Sequence, residues 1–218
     1  MGVSRATFDA ATRGVEPDFA LPDLAIPGRP ETPQQGQPEF VRTPADYLKE
    51  ATIARLAAQG VKLRDQYRNV LDRIEQLFGV PGPVVLAIWA RESDFSTRTY
   101  GQNAFQVLAT QAYAGKRKDM FRQEFLLALK MVQDGVPMAD MRASWGGAMG
   151  MTQFLPSEYY KHAVRFDGDG RSPDIWHSVP DALASAAKQL ADKGWQPGLR
   201  WAYEAHAPQT FACTRGVP

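Results

Sequence analysis

Apolar residues recur at spacings of three and four along most of the chain, and strand-like alternation is weak throughout. This period predicts amphipathic helices rather than half-buried strands. Between residues 62 and 78 the apolar positions are Leu63, Tyr67, Val70, Leu71, Ile74, Leu77 and Phe78, and Gly79 and Pro81 close the helix. Upstream, Thr43-Pro44-Ala45-Asp46 has the form of a capping box with proline at the first helical position. Gly60 is the expected stop of that helix. After Pro83 the run Val84 to Ser93 is apolar nearly all round, so it is expected to be buried on most sides. A helix over 118–134 gathers Phe121, Phe125, Ala128, Leu129 and Val132 on one face. A short helix follows Pro156. The last runs over about 180–193, opened by a second capping box, Ser178 to Asp181, and stopped by Gly194. The expected fold is mainly α, with a small hairpin near the Asp/Gly-rich loop at 167–170.

The N-terminal part breaks this pattern. Residues 17–38 hold six prolines, which favours an extended strap over a helix or a central strand. A disordered tail is the competing reading, but Phe19, Leu21, Leu24, Ala25, Ile26 and Phe40 give the strap something to dock with. The expected organisation is a Pro-rich segment over 1–42 packing on a helical core over 43–205, with a tail over 206–218.

Composition narrows the classes further. With 218 residues, 44% hydrophobic and 22% charged, the chain can bury about 70% of its unfolded surface without covalent staples. A net charge of +1 lacks the basic excess of a nucleic-acid binder. One cysteine, Cys213, excludes an internal disulfide framework and a Cys-rich metal site. No apolar run is long enough to span a bilayer. The best signal-peptide core, Phe19 to Ile26, is broken by Pro22 and Asp23.

Three segments carry candidate chemistry. Glu92 ends the buried-looking apolar helix, where loss of hydration would raise its pKa and suit it to general-acid work. The alternative is a surface glutamate paired with Arg91 or Arg98. Ser144 to Pro156 has three glycines in five residues, 146 to 150, beside Ser144, Trp145, Thr152 and Gln153. Such a loop admits close backbone approach and offers the mixture of hydroxyl, amide and apolar groups that suits a sugar. The alternative is a tight interhelical turn. Phe166 to Arg171 contains Asp-x-Asp-Gly, part of a calcium-loop pattern. Its candidate ligands are Asp167, Asp169 and Asp181. Arg165 stands where a further ligand would be wanted, so the motif alone favours a plain Asp/Gly turn. His162, His177 and His206 have no ligand or triad spacing and read as structural.

The three segments occur in an order that resembles a known family. Ile88 to Phe95 resembles the Glu-Ser/Thr-x-aromatic-Gly motif of B-type lytic murein transglycosylases. Ser144 to Pro156 is similar to that family's Gly-Ser-x-Ala-Gly-Ala-Met-Gly-x-x-Gln-Phe-Met-Pro segment. Phe166 to Trp176 is similar to its Asp-Phe-x-Gly-Asp-Gly…Ile-Trp loop, and Asp181 to Ala187 with Gly194-Trp195 to its next helix and stop. Four motifs in register extend the resemblance over about residues 5–205.

The resemblance implies a lysozyme-like core that cleaves the β-1,4 bond between N-acetylmuramic acid and N-acetylglucosamine in peptidoglycan. The muramyl C6 hydroxyl attacks C1 and leaves a 1,6-anhydro end. It places Glu92 as the acid and then the base. It further implies Ser144 as a hydrogen-bonding partner near Glu92, and Gln153, Lys116, Arg117, Phe95 and Trp145 as substrate-binding residues. No cofactor is required, and calcium is at most an accessory. Glycan strands are the implied partner, with room for other cell-wall enzymes, and the implied location is the periplasm or cell envelope, the leader being absent from the sequence. A glycan-binding module on the same fold and a lysozyme-type hydrolase are the alternatives. The chain departs from the family at Ser96 (glycine), Gly146 (alanine), Arg165 (an acidic ligand) and Lys188-Gln189 (Asn-Tyr). Family members continue past its end with a cleft-lining segment that has no match here, so a fragment or a shortened member is expected.

Overall fold

A computed structural model describes residues 2–28 and 43–199, with the isolated positions 202, 204 and 206. Along it run α1 (Arg5–Thr12), α2 (Pro44–Tyr47), α3 (Glu50–Gln66), α4 (Arg68–Phe78), α5 (Gly82–Ser93), β1 (Gln102–Asn103), α6 (Ala104–Ala114), α7 (Lys118–Gln133), β2 (Arg142–Ala143), α8 (Pro156–His162) and α9 (Val179–Asp192).

The helix starts follow local chemistry. The Thr43 box closes reciprocally: the Thr43 N–H donates to the Asp46 carboxylate (3.1 Å) and the Asp46 N–H to Thr43 Oγ1 (3.3 Å). Ser178 caps α9 by accepting from the Asp181 N–H. Gly60 is not a stop. It lies inside α3, and the break falls instead at Tyr67 (φ −104°, ψ 21°), between α3 and α4. On α4 the predicted face buries Leu71 and Ile74, but Leu77 is exposed.

Two further differences have physical reasons. Helix α6 was not expected: Phe105, Val107, Leu108, Thr110, Gln111 and Ala114 are inside, two of them polar, whereas Tyr113 is exposed, so its polar and apolar residues do not separate cleanly into an outer and an inner face. A helix also stands at Arg5–Thr12, inside the stretch expected to be extended. Ser4 caps it by accepting from the Thr7 N–H, and it lies against α6 and α7.

Residues 13–28 run without helix over α6. Leu24 forms an isolated bridge with Gly115, the Gln111 side chain donates to the Pro22 carbonyl (3.0 Å), and Asp18 N–H donates to Thr110 Oγ1 (3.0 Å). The rest of the Pro-rich segment, with Phe40, and nearly all of the 206–218 tail, with Cys213, lie outside the described residues. The hairpin is not at 167–170, where the chain only turns. The paired strands are instead β1 and β2, antiparallel and connected through α6 and α7 rather than by a tight turn, with Gln102 opposite Ala143 and Asn103 opposite Arg142.

The core has two main parts. One centres on α6 and α7 with Phe105, Leu108, Phe121 and Leu129, and takes in Met149 and Ile175. The other joins α4, α5 and α9 through Ile74, Val85, Trp89, Leu183 and Ala187. The C-terminal end of α5 and the 144–154 loop lie where the two meet.

Candidate active site

Helix α5 buries Val85, Leu86, Trp89, Ala90 and Ser93, a stripe at spacings of three and four. Glu92 falls at the edge of that stripe and is exposed, while Ser93 beside it is buried. No hydrogen bond or ion pair holds the Glu92 carboxylate among the described residues. Surrounding protein removes part of its hydration, which pushes its pKa above the usual carboxyl value, with Arg91 opposing. Tyr100 Oη donates to the Glu92 backbone carbonyl (2.6 Å) and ties the following loop to this point.

The helix ends abruptly. Asp94, Phe95 and Ser96 all have left-handed backbones, with φ of 50°, 54° and 65°. For residues with a Cβ this conformation costs roughly 1–2 kcal/mol each, so the surroundings must hold it. Arg55 of α3 grips Asp94 with two hydrogen bonds (3.0 and 2.9 Å). Phe95 is buried edge-on against Trp89, ring centres 5.4 Å apart. Trp89 Nε1 donates to Ser96 Oγ (2.8 Å), and the Ser96 N–H donates to Ser93 Oγ (3.1 Å). Ser96, where the resemblance wants glycine, therefore has its own anchor. Asp94 is committed to Arg55, which holds its carboxyl below the usual range.

Ser93 Oγ also donates to the Met151 carbonyl (2.7 Å), joining α5 to the glycine-rich loop. That loop doubles back on itself. Met149 bridges both Ala143 and Phe154, and the Ser144 N–H donates to the Ala148 carbonyl (2.9 Å). Gly147 (φ 84°) leaves no room for a Cβ, which would lie 2.3 Å from Leu108 Cδ2. Gly150 (φ 74°) is equally tight, 2.8 Å from the Ile175 carbonyl. Gly146 faces open space, so the family's alanine there would meet nothing. Gln153 takes a left-handed backbone (φ 54°) and its side chain donates to the Gly150 carbonyl (2.9 Å). The Ser144 hydroxyl makes no hydrogen bond to the Glu92 carboxylate in this structure.

The other candidates divide. Phe95 belongs to the core and also lines an apolar groove between α3 and α5. Trp145 packs with Leu21, Leu24, Val107 and Ala114, beneath the N-terminal segment. Lys116 and Arg117 engage the same segment: the Lys116 N–H donates to the Asp23 carbonyl (3.1 Å), and the Arg117 guanidinium lies 3.4 Å from the Asp23 carboxylate and over the Phe121 ring.

The Asp/Gly loop is closed by arginine. Arg165 bonds Asp169 (3.0 Å) and the fully buried Asp181 (2.8 Å). Asp181 also accepts from the Phe166 N–H (3.1 Å) and the Asp174 N–H (2.8 Å). Arg171 is a further partner of Asp169, and the two guanidiniums hold that carboxyl far below its usual range. Asp167 is exposed. A divalent cation does not fit here, because a guanidinium already occupies the place between Asp169 and Asp181. No group of three His, Cys, Asp or Glu poised for a metal occurs among the described residues.

On the other side of the α5 end lies a polar cleft of about 340 Å³, lined by Ser93, Arg98, Tyr100, Arg142, Trp176 and His177 among others. His177 is bonded to Asp140 (2.8 Å) at its edge, which raises its pKa. The sequence reading missed this cleft. Its walls come from the loop after α5, from β2 and from the segment before α9, and no spacing along the chain unites them.

A mainly α domain in which a buried helix delivers one unpaired glutamate beside a glycine-rich loop is a lysozyme-like architecture. The family model for the transglycosylase SLT domain matches residues 1–217, and the chain belongs to that family. It is 34% identical over 156 residues to the membrane-bound lytic murein transglycosylase B of Escherichia coli K12, covering 70% of this chain and 42% of that protein. SltB3 from Pseudomonas aeruginosa, solved in complex with NAG-NAM-pentapeptide, superposes with a TM-score of 0.79 at 36% identity, over 96% of this chain and 54% of that one. The E. coli lytic transglycosylase Slt35, solved in complex with calcium, gives a TM-score of 0.62 at 28% identity, over 74% of this chain and 49% of that one. The chain thus spans about half the length of these solved relatives. Among the described residues no helix is long and apolar enough to cross a membrane.

Proposed function

We propose that the chain carries a peptidoglycan lytic transglycosylase activity, with Glu92 as its single acid and base. The observation that carries this reading is the state of Glu92: raised pKa, no counter-ion, and a helix end pinned by Ser93, Asp94 and Ser96. A protonated Glu92 gives its proton to the glycosidic oxygen as the muramyl C1–O bond breaks. The muramyl C6 hydroxyl then bonds to C1, and its proton returns to the Glu92 carboxylate. No water is consumed, so the paired carboxylates of ordinary glycoside hydrolysis are not needed. Asp94, the nearest carboxylate in sequence, is spent on Arg55. Gln153 and Ser144 would bind sugar from the loop. Lys116, Arg117 and Trp145 would act only through the N-terminal segment that packs on them. Glycan strands in the periplasm or cell envelope are the proposed substrate and setting.

The test is a digest of purified peptidoglycan analysed by mass spectrometry, beside Glu92→Gln. The expected result is anhydro-muropeptides, with turnover reduced by at least about 10²-fold in the variant. Products heavier by one water would replace the reading with hydrolysis. Sacculus binding without products would replace it with a glycan-binding module.

A further inference from the structure

We propose that Arg55 on α3 is a positioning residue for the proposed reaction, acting on Glu92 through Asp94. The turn after α5 is strained, with left-handed backbones at Asp94, Phe95 and Ser96. Many of its hydrogen bonds are internal: Trp89 to Ser96, Ser96 to Ser93, and the Thr97 hydroxyl to the Asp94 carbonyl (2.8 Å). These shape the turn but do not fix it in the molecule. Outward ties run from Ser93 to the Met151 carbonyl of the glycine-rich loop, and from Asp94 to Arg55. Among the described residues the Arg55–Asp94 pair is the polar tie from α3 to this turn. Close packing covers only part of the same interface, because an apolar groove of about 650 Å³ runs between α3 and α5 past Leu56, Val61, Leu86 and Ala87. The guanidinium meets the Asp94 carboxylate with two nitrogens (3.0 and 2.9 Å), a forked geometry that fixes direction as well as distance. Asp94 lies two residues after Glu92, so the pair sets how the Glu92 side chain leaves the helix end. Arg98 also stands near Asp94, but Arg55 is the bonded partner. The two bonded side chains are 57% and 25% exposed, and a pair so solvated adds little to global stability. Its loss is therefore expected to show in geometry at Glu92 rather than in folding.

This inference rests on the proposed role of Glu92, and two assays keep the two claims apart. The first is turnover of purified peptidoglycan. Arg55→Ala and Asp94→Asn are each expected to lower kcat about tenfold with KM unchanged, since small misplacements of a reacting group are costly. Asparagine tolerates the left-handed backbone as aspartate does, so Asp94→Asn removes the charge, keeps the turn and leaves Arg98 nothing to grip in place of Arg55. The double variant should lose no more than either single one, because the two residues act as a unit. Arg55→Lys keeps the charge without the fork and should recover part of kcat. Arg68→Ala, which breaks another exposed pair, with Asp65, should leave kcat unchanged. The second assay is amide hydrogen exchange over residues 92–98, which needs no turnover. The N–H groups of Asp94, Thr97 and Arg98, bonded to the Ala90, Asp94 and Ser93 carbonyls, report on the turn. Their exchange should quicken severalfold in Arg55→Ala and stay at the parent's rate in Arg68→Ala. Additive losses in the double variant, losses carried by KM, or melting temperatures that fall in step with kcat overturn the positioning role. Unchanged exchange in Arg55→Ala overturns it as well, whatever the turnover. A parent that turns over no peptidoglycan, with exchange still quickened in Arg55→Ala, refutes the transglycosylase reading and leaves the Arg55 tether standing.

Discussion

The raised pKa of Glu92 makes activity and stability fall together as pH rises. As the proposed acid, it must be protonated, so kcat/KM should fall as pH rises through its folded pKa. For stability, the fold binds this proton more tightly than the unfolded chain does. Stability is therefore lost as pH rises from the ordinary value of 4.5 to the folded one. Glu92→Gln should melt higher than the parent near pH 7 and equally near pH 3, measured by thermal denaturation. Ser96 poses a second residue-scale question. Alanine keeps the strained backbone (φ 65°) and loses the Trp89 hydrogen bond, so Ser96→Ala should cost about 1–2 kcal/mol. Glycine loses the same bond but relieves roughly 1–2 kcal/mol of strain, so Ser96→Gly should lie within about 1 kcal/mol of the parent. Urea denaturation of the pair checks both. Glu92 was legible in the sequence as the end of an all-apolar helix. Its setting was not, because the neighbouring Asp94 is taken by Arg55, thirty-nine residues before Asp94 in the chain.

At the scale of elements, helix α3 shows how a local rule yields to packing. Glycine usually ends a helix because it adopts the left-handed backbone cheaply. Gly60 instead stays helical, and a Cβ there would meet Phe95 Cζ at an ordinary 3.7 Å. Gly60→Ala should therefore stabilise the chain by about 0.5–1 kcal/mol, read as a rise in melting temperature. Gly147→Ala should do the reverse. Its Cβ would press on the buried Leu108 from a left-handed backbone, at a cost of at least about 2 kcal/mol. Helices α5, α7, α8 and α9 were legible from their period or their caps. Helix α6 was not, since its buried face includes Thr110 and Gln111 while the apolar ring of Tyr113 is exposed, which blurs the period.

Across the whole molecule, the segment before α9 is locked by charge supplied from within the chain. Arg165 meets Asp181 at a site closed to water, where a lost partner would leave a buried charge uncompensated. Arg165→Gln should destabilise by about 3 kcal/mol. Calcium or chelator should leave the parent's melting temperature unchanged, and a calcium-induced rise would refute the view that the guanidinium fills the loop. The Asp181 position also shows a residue changing task. In the sequence it completes a capping box with Ser178. In the fold its carboxylate turns to Arg165 and to two backbone N–H groups of the preceding segment.

The sequence alone determined the class of the fold, the helix that carries Glu92 and the need for glycine at the tight turn that includes Gly147. These are local properties: period, caps and backbone freedom act within a few residues. Only the tertiary structure decided that Lys116, Arg117 and Trp145 engage the N-terminal segment, that Arg165 joins Asp169 to Asp181, and that Arg98, Arg142 and His177 share one cleft. Each of these joins residues tens of positions apart, and the burial and charge that define them arise only when distant segments pack together.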